Sequence, residues 1–110
     1  MKLHGKTFRV AATAAGGVVS DATRLHCTEI GPRVVGRYAG GTILRGCLVG
    51  ARTDHVFSFR FVQREADGQM HAGHSVCELS VRDGLVSIAE HFTWETRDGS
   101  GVNTFEEVRE

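Results

Sequence analysis

Between residues 55 and 95 apolar and polar side chains alternate with period two, and two Asp-Gly pairs interrupt the alternation. Phe57, Phe59 and Phe61 fall on one side of an extended segment and Ser58 and Arg60 on the other, because successive strand side chains point to opposite faces. Further along, Val86, Ile88, Glu90, Phe92 and Trp94 share a face, with Ser87, His91, Thr93 and Glu95 opposite. Ala66-Asp67-Gly68 and Arg82-Asp83-Gly84 supply the positive φ that tight hairpin loops require. The stretch therefore predicts three consecutive antiparallel strands. Glu90 is the one polar residue on an otherwise apolar face.

The same alternation extends to both ends. Residues 4–12 predict a first strand with Phe8, Val10 and Ala12 on one side, followed by a loose turn at Ala14-Ala15-Gly16-Gly17. Residues 22–30 set Leu25 and Cys27 against Arg24 and His26, and Gly31-Pro32 ends that strand. Residues 33–41 give a third strand, with Gly40-Gly41 suited to a type I′ turn. Residues 42–52 give a fourth, with Ile43, Cys47 and Val49 on one face and Leu44 and Leu48 on the other. After Asp98-Gly99-Ser100-Gly101, residues 102–110 form the last.

Eight strands with short connections pair with their sequence neighbours, since parallel pairing needs a crossover of roughly a dozen residues or more. An open sheet of this kind exposes two edges and one apolar face. Closure into an up-and-down barrel removes both problems, so the expected fold is all-β: an eight-stranded antiparallel meander closed into a small, calycin-like β-barrel, one domain over residues 1–110. Gly36, Gly46, Gly50 and Gly73, inside strands, fit sharp coiling or close backbone approach. A two-sheet sandwich dimerising through its edges is the competing arrangement.

Composition narrows the function classes. The 13 basic and 13 acidic residues balance, and no basic run stands out, which argues against a nucleic-acid or anionic-membrane binder. No apolar run approaches the roughly 20 residues of a membrane span and no signal-peptide h-region is visible, so a cytoplasmic protein is expected. Cys27, Cys47 and Cys77 lack paired spacing and read as free thiols packed as small hydrophobes. The six histidines include no metal-site spacing; His71, Cys77 and His91 are the one cross-strand set worth checking, and neither metal nor cofactor is expected.

Glu90 is the candidate catalytic residue. On an inward, aromatic face, desolvation raises a carboxyl pKa and prepares the group for acid–base work or for anchoring a hydroxylated or cationic ligand. Tyr38 and Trp94 are flat walls with polar handles and read as ligand-binding. Arg60 and His74, mid-strand on faces that the register decides, complete the ligand-binding set; an inward arginine would pair with Glu90 or with a ligand carboxylate. Arg45 raises the same question of register.

The framework Phe8, Tyr38-x-Gly40-Gly41-x-Ile43-x-x-Gly46-x-Leu48-x-Gly50, Gly68, Gly73-x-Ser75-x-Cys77, Gly84, Glu90-x-x-x-Trp94 and Glu106-Glu107 resembles small bacterial β-barrel proteins of about this length. Those chains are often labelled N-acetylglutamate synthase. Acetyltransferases of that kind hold the acetyl-CoA pyrophosphate on a Q/R-x-x-G-x-G/A loop ahead of a helix; the nearest string here, from Arg97 to Val102, precedes a strand. The meander is similar in architecture to avidin-like and lipocalin-like barrels, which implies an interior that is either filled or holds one small ligand. The leading expectation is a cytosolic binder of a small, partly apolar molecule. The alternatives are a small barrel enzyme of isomerase, cyclase or hydratase type using Glu90, and a filled-barrel homodimer whose surface carries the function.

Overall fold

The computed structural model describes residues 1–109. Its strands are β1 (Thr7–Ala12), β2 (Arg24–Ile30), β3 (Arg33–Gly40), β4 (Ile43–Arg52), β5 (Val56–Glu65), β6 (Met70–Arg82), β7 (Leu85–Trp94) and β8 (Ser100–Glu107). Each pairs antiparallel with its neighbours in sequence. β8 returns to β1 through Phe8↔Glu107, Arg9↔Glu106 and Val10↔Phe105, which closes the barrel. Closure leaves no free sheet edge.

The alternation seen in the sequence becomes inside and outside. Phe57, Phe59 and Phe61 on β5 and Val86, Ile88, Phe92 and Trp94 on β7 are buried within the barrel with Phe8, Leu25, Val34, Leu48 and Phe105. Removing each such large apolar side chain from water contributes about 1.5–3 kcal/mol, which makes this filled cylinder the main source of stability. The β6–β7 hairpin turns through Asp83 (φ 54°) and Gly84 (φ 79°), the paired left-handed conformation expected of that Asp-Gly.

The differences from the sequence expectation have local causes. β1 starts at Thr7, and the preceding residues fold across one end, where Leu3 is fully buried as a plug. The β1–β8 register shifts between Val10 and Ala12, which turns Ala12 outward, away from Phe8 and Val10. In β4 a bulge between Ile43 and Arg45 opposes Glu65 and Arg64 of β5, and the inserted residue reverses the parity. Ile43 and Leu48 are therefore both buried, whereas Cys47 and Val49 face out with Leu44 and Arg45. Cys47 is thus an exposed thiol, unlike the buried Cys27 and Cys77. β8 begins at Ser100, ahead of the expected Val102, and the final residue of the predicted strand, Glu110, lies outside the described residues.

In an up-and-down barrel alternate connections gather at one end. The β1–β2 loop (13–23), the β3–β4 turn (41–42), the β5–β6 turn (66–69) and the β7–β8 loop (95–99) meet there, tied by Ala66 N–H to Thr42 O (2.8 Å) and by Thr23 Oγ1 to Gly40 O (3.3 Å). The plug of Leu3 is at the other end.

Candidate functional site

β5 lines one wall with Phe57, Phe59, Phe61, Gln63 and Glu65 in order, and β7 faces it with Val86, Ile88, Glu90, Phe92 and Trp94. The rings form a chain of tilted and edge-on contacts: Phe57–Phe59 at 4.9 Å, Phe59–Phe61 at 6.2 Å, Phe61–Trp94 at 5.4 Å and Phe92–Trp94 at 6.0 Å between centroids. Between them lies a cavity of about 40 Å³ bounded by Tyr38, Phe59, Gln63, Glu90, Trp94 and Asn103, among others. That space admits a few water molecules.

Strand register builds the polar group at its floor. Glu90 stands directly opposite Asn103 of β8 and Cys77 of β6, and Ser75 is the inward neighbour on the diagonal. The Ser75 hydroxyl donates to Glu90 Oε2 at 2.6 Å, and Asn103 Nδ2 donates to Oε1 at 3.0 Å. Burial pushes the Glu90 pKa above the usual carboxyl value, and the two hydrogen bonds hold it down in part.

A second polar chain runs to the mouth. The Tyr38 hydroxyl donates to Gln63 Oε1 at 2.8 Å, and Gln63 Nε2 donates to Glu65 Oε2 at 2.9 Å. Arg97 Nη2 donates to both Glu65 oxygens at 2.7 Å, and its guanidinium stacks 4.5 Å from the Trp94 ring centroid. The Tyr38 ring lies over Gly46, where a Cβ would come within 2.3 Å of Cζ; only glycine leaves room for it. Burial, with the nearby Glu90 carboxyl next in effect, raises the phenol pKa, so Tyr38 remains a neutral donor. No buried side-chain nitrogen or oxygen among the described residues lacks a partner.

Of the expected site residues, Glu90, Tyr38 and Trp94 do converge on one cavity. Arg60 and His74 do not: both lie on the outer face, because they alternate with the inward Phe59–Phe61 pair and with Gly73 and Ser75. Arg60 instead pairs with Glu95, which also approaches His74 at 3.7 Å. Arg45 is outward as well, opposite Arg64. His71, Cys77 and His91 are not brought together, since Cys77 is inside and His91 outside. Burial pushes the Cys27 thiol up to about 12 and raises that of Cys77 too, which leaves both unreactive.

The cavity also brings in Gln63 and Asn103, with Glu65 and Ser75 hydrogen-bonded to its lining, none of which the sequence pattern marks as a site residue. Carrying the phenylalanine parity two and four residues beyond Phe61 reaches Gln63 and Glu65, and Phe105 gives the same parity to Asn103. Gly17, Val18 and Val19 of the β1–β2 loop also line the cavity, and no periodicity announces them.

A family model described as "Avidin-like protein" matches residues 1–108. The chain belongs to the avidin-like protein family. Searches of curated proteins and of solved structures return no match. An avidin-like barrel with a buried aromatic cluster is compatible with small-molecule binding, and its architecture is the one expected from the meander.

Proposed function

We propose that this avidin-like barrel binds one small, uncharged, partly apolar molecule at its loop-bearing end, between the aromatic wall and the polar floor of Glu90, Ser75 and Asn103. The observation that carries the reading is a cavity inside an otherwise filled barrel where Tyr38, Glu90 and Trp94 meet. Apolar walls with a few convergent polar groups are the usual make-up of a ligand pocket. The ionic groups at the mouth, Glu65 and Arg97, neutralise each other, which favours an uncharged ligand. The test is a screen of neutral small molecules by Trp94 fluorescence, with hits repeated on Glu90→Gln and Tyr38→Phe. Affinity unchanged in both variants would place binding elsewhere.

An enzymatic role rests on the same carboxyl, whose raised pKa suits a general acid. Turnover of a bound compound, lost in Glu90→Gln, distinguishes it from binding alone. Self-association draws support from the outer wall, where Val35, Val49, Val62 and Val76 are exposed on neighbouring strands β3 to β6. Sedimentation of the wild type against Val49→Asp tests that role.

A further inference from the structure

The cavity of about 40 Å³ is lined by strand residues and by one interstrand segment, part of the β1–β2 loop. Six of the seven connections between successive strands contribute nothing to the cavity lining; the exception is the segment Thr13–Val19, whose Gly17, Val18 and Val19 line the cavity. Val18 and Val19 pack against the core as partly buried hydrophobics, together with Ala14.

Polar contacts from this segment to the pocket are few. Trp94 Nε1 donates to Gly16 O at 3.1 Å. Asn103 Oδ1 accepts from Thr13 Oγ1 at 2.8 Å and, at 3.4 Å, from Ala14 N–H. Residues 20–23 are held separately, by the bonds Ser20 N–H to Thr23 Oγ1 (3.0 Å), Thr23 N–H to Ser20 O (3.0 Å) and Thr23 Oγ1 to Gly40 O. The first part of the loop can therefore lift while its second part stays fixed. β8 is shaped for the segment as well: at Gly101 a Cβ would stand 2.6 Å from Ala14 Cβ.

From this geometry we infer that Thr13–Val19 is the pocket's own occupant and that a ligand binds by displacing it, presenting a neutral amide-type group. The inference rests on the binding role proposed above. Lifting the segment strips the Trp94 indole N–H of its acceptor and Asn103 Oδ1 of its donors, and unpaired buried polar groups are costly. Asn103 cannot turn to compensate, because its Nδ2 is committed to Glu90. The incoming molecule must therefore carry a carbonyl-type acceptor for Trp94, an N–H or O–H donor for Asn103, and a compact aliphatic body in place of Val18 and Val19.

The test uses ¹⁵N-labelled wild type and the double variant Val18→Ser/Val19→Ser, titrated with δ-valerolactam and with cyclohexanone, a ring of the same size without the donor. The expected result is that the lactam shifts the Trp94 indole and Asn103 side-chain signals together with the amides of 14–19. It should bind the variant about tenfold more tightly than wild type, and about tenfold more tightly than cyclohexanone does. Equal lactam affinity in both proteins, or lactam binding with the 14–19 amides unmoved, overturns displacement while pocket binding stands. Equal binding of lactam and ketone overturns the amide requirement. If neither compound moves an inward-facing residue in either protein, the inference and the binding reading fail together.

Discussion

The Ser75 hydroxyl sits 2.6 Å from Oε2 of Glu90, in an interior built mainly from aromatic and aliphatic walls. A carboxyl there is retained against the cost of burial, and that cost sets its pH behaviour. In the folded state Glu90 keeps a proton that the unfolded chain releases near the ordinary value of 4.5. Its contribution to stability is complete below that pH and declines as pH rises toward the folded-state pKa. Glu90→Gln, which imitates the protonated form toward Ser75 and Asn103, is expected to raise the melting temperature more at pH 8 than at pH 5. Thermal melts at the two pH values check this; an equal or opposite change would mean that Glu90 is ionised without penalty.

Tyr38→Phe removes the donor to Gln63 Oε1 and leaves a buried acceptor unpaired. The expected loss is about 1–3 kcal/mol by denaturant titration. The Tyr38 ring stays in place over Gly46, so the aromatic wall and the near-ultraviolet dichroism of Trp94 should change little.

Glycine at position 46 is required by a side chain and not by φ. Gly46→Ala forces a Cβ into the Tyr38 ring and is expected to cost at least about 1–3 kcal/mol by overpacking. Gly16→Ala, whose nearest neighbour would be Ser100 O at 3.4 Å, is the comparison and should be close to neutral. Thermal melts of the two variants settle the contrast.

Cysteine reactivity should divide by face. Cys47 is exposed through the β4 bulge, whereas Cys27 and Cys77 are buried with raised pKa values. In the native protein one thiol is expected to react rapidly with an aromatic disulfide reagent, forming a mixed disulfide and releasing one equivalent of aromatic thiolate, and the other two only in denaturant. Loss of the rapid phase in Cys47→Ser confirms the assignment.

Much of this barrel was legible from alternation and turn chemistry, because β5 and β7 keep period two throughout and each Asp-Gly between residues 55 and 95 sits at a hairpin with positive φ at its glycine. What alternation cannot show is an insertion within a strand. The bulge at Leu44–Arg45 reversed the faces of Cys47 and Val49, and nothing in their spacing signals it. The inward placement of Glu90 and Trp94 was legible, since they share a face with Ile88 and Phe92. Arg60 and His74, expected in the pocket, alternate with Phe59, Phe61 and Ser75, and the structure sends them outward. Asn103 and the Thr13–Val19 segment came from tertiary closure: one depends on the β7–β8 register, the other on a loop that folds back over the barrel mouth.

The most direct test of pocket binding is a crystal of the protein soaked with the best neutral hit of the fluorescence screen. The account predicts density for the compound inside the barrel, in contact with Trp94 and within hydrogen-bonding distance of the Tyr38, Asn103 or Glu90 side chains. Density confined to the outer wall, with the interior still filled by Val18 and Val19, would contradict it.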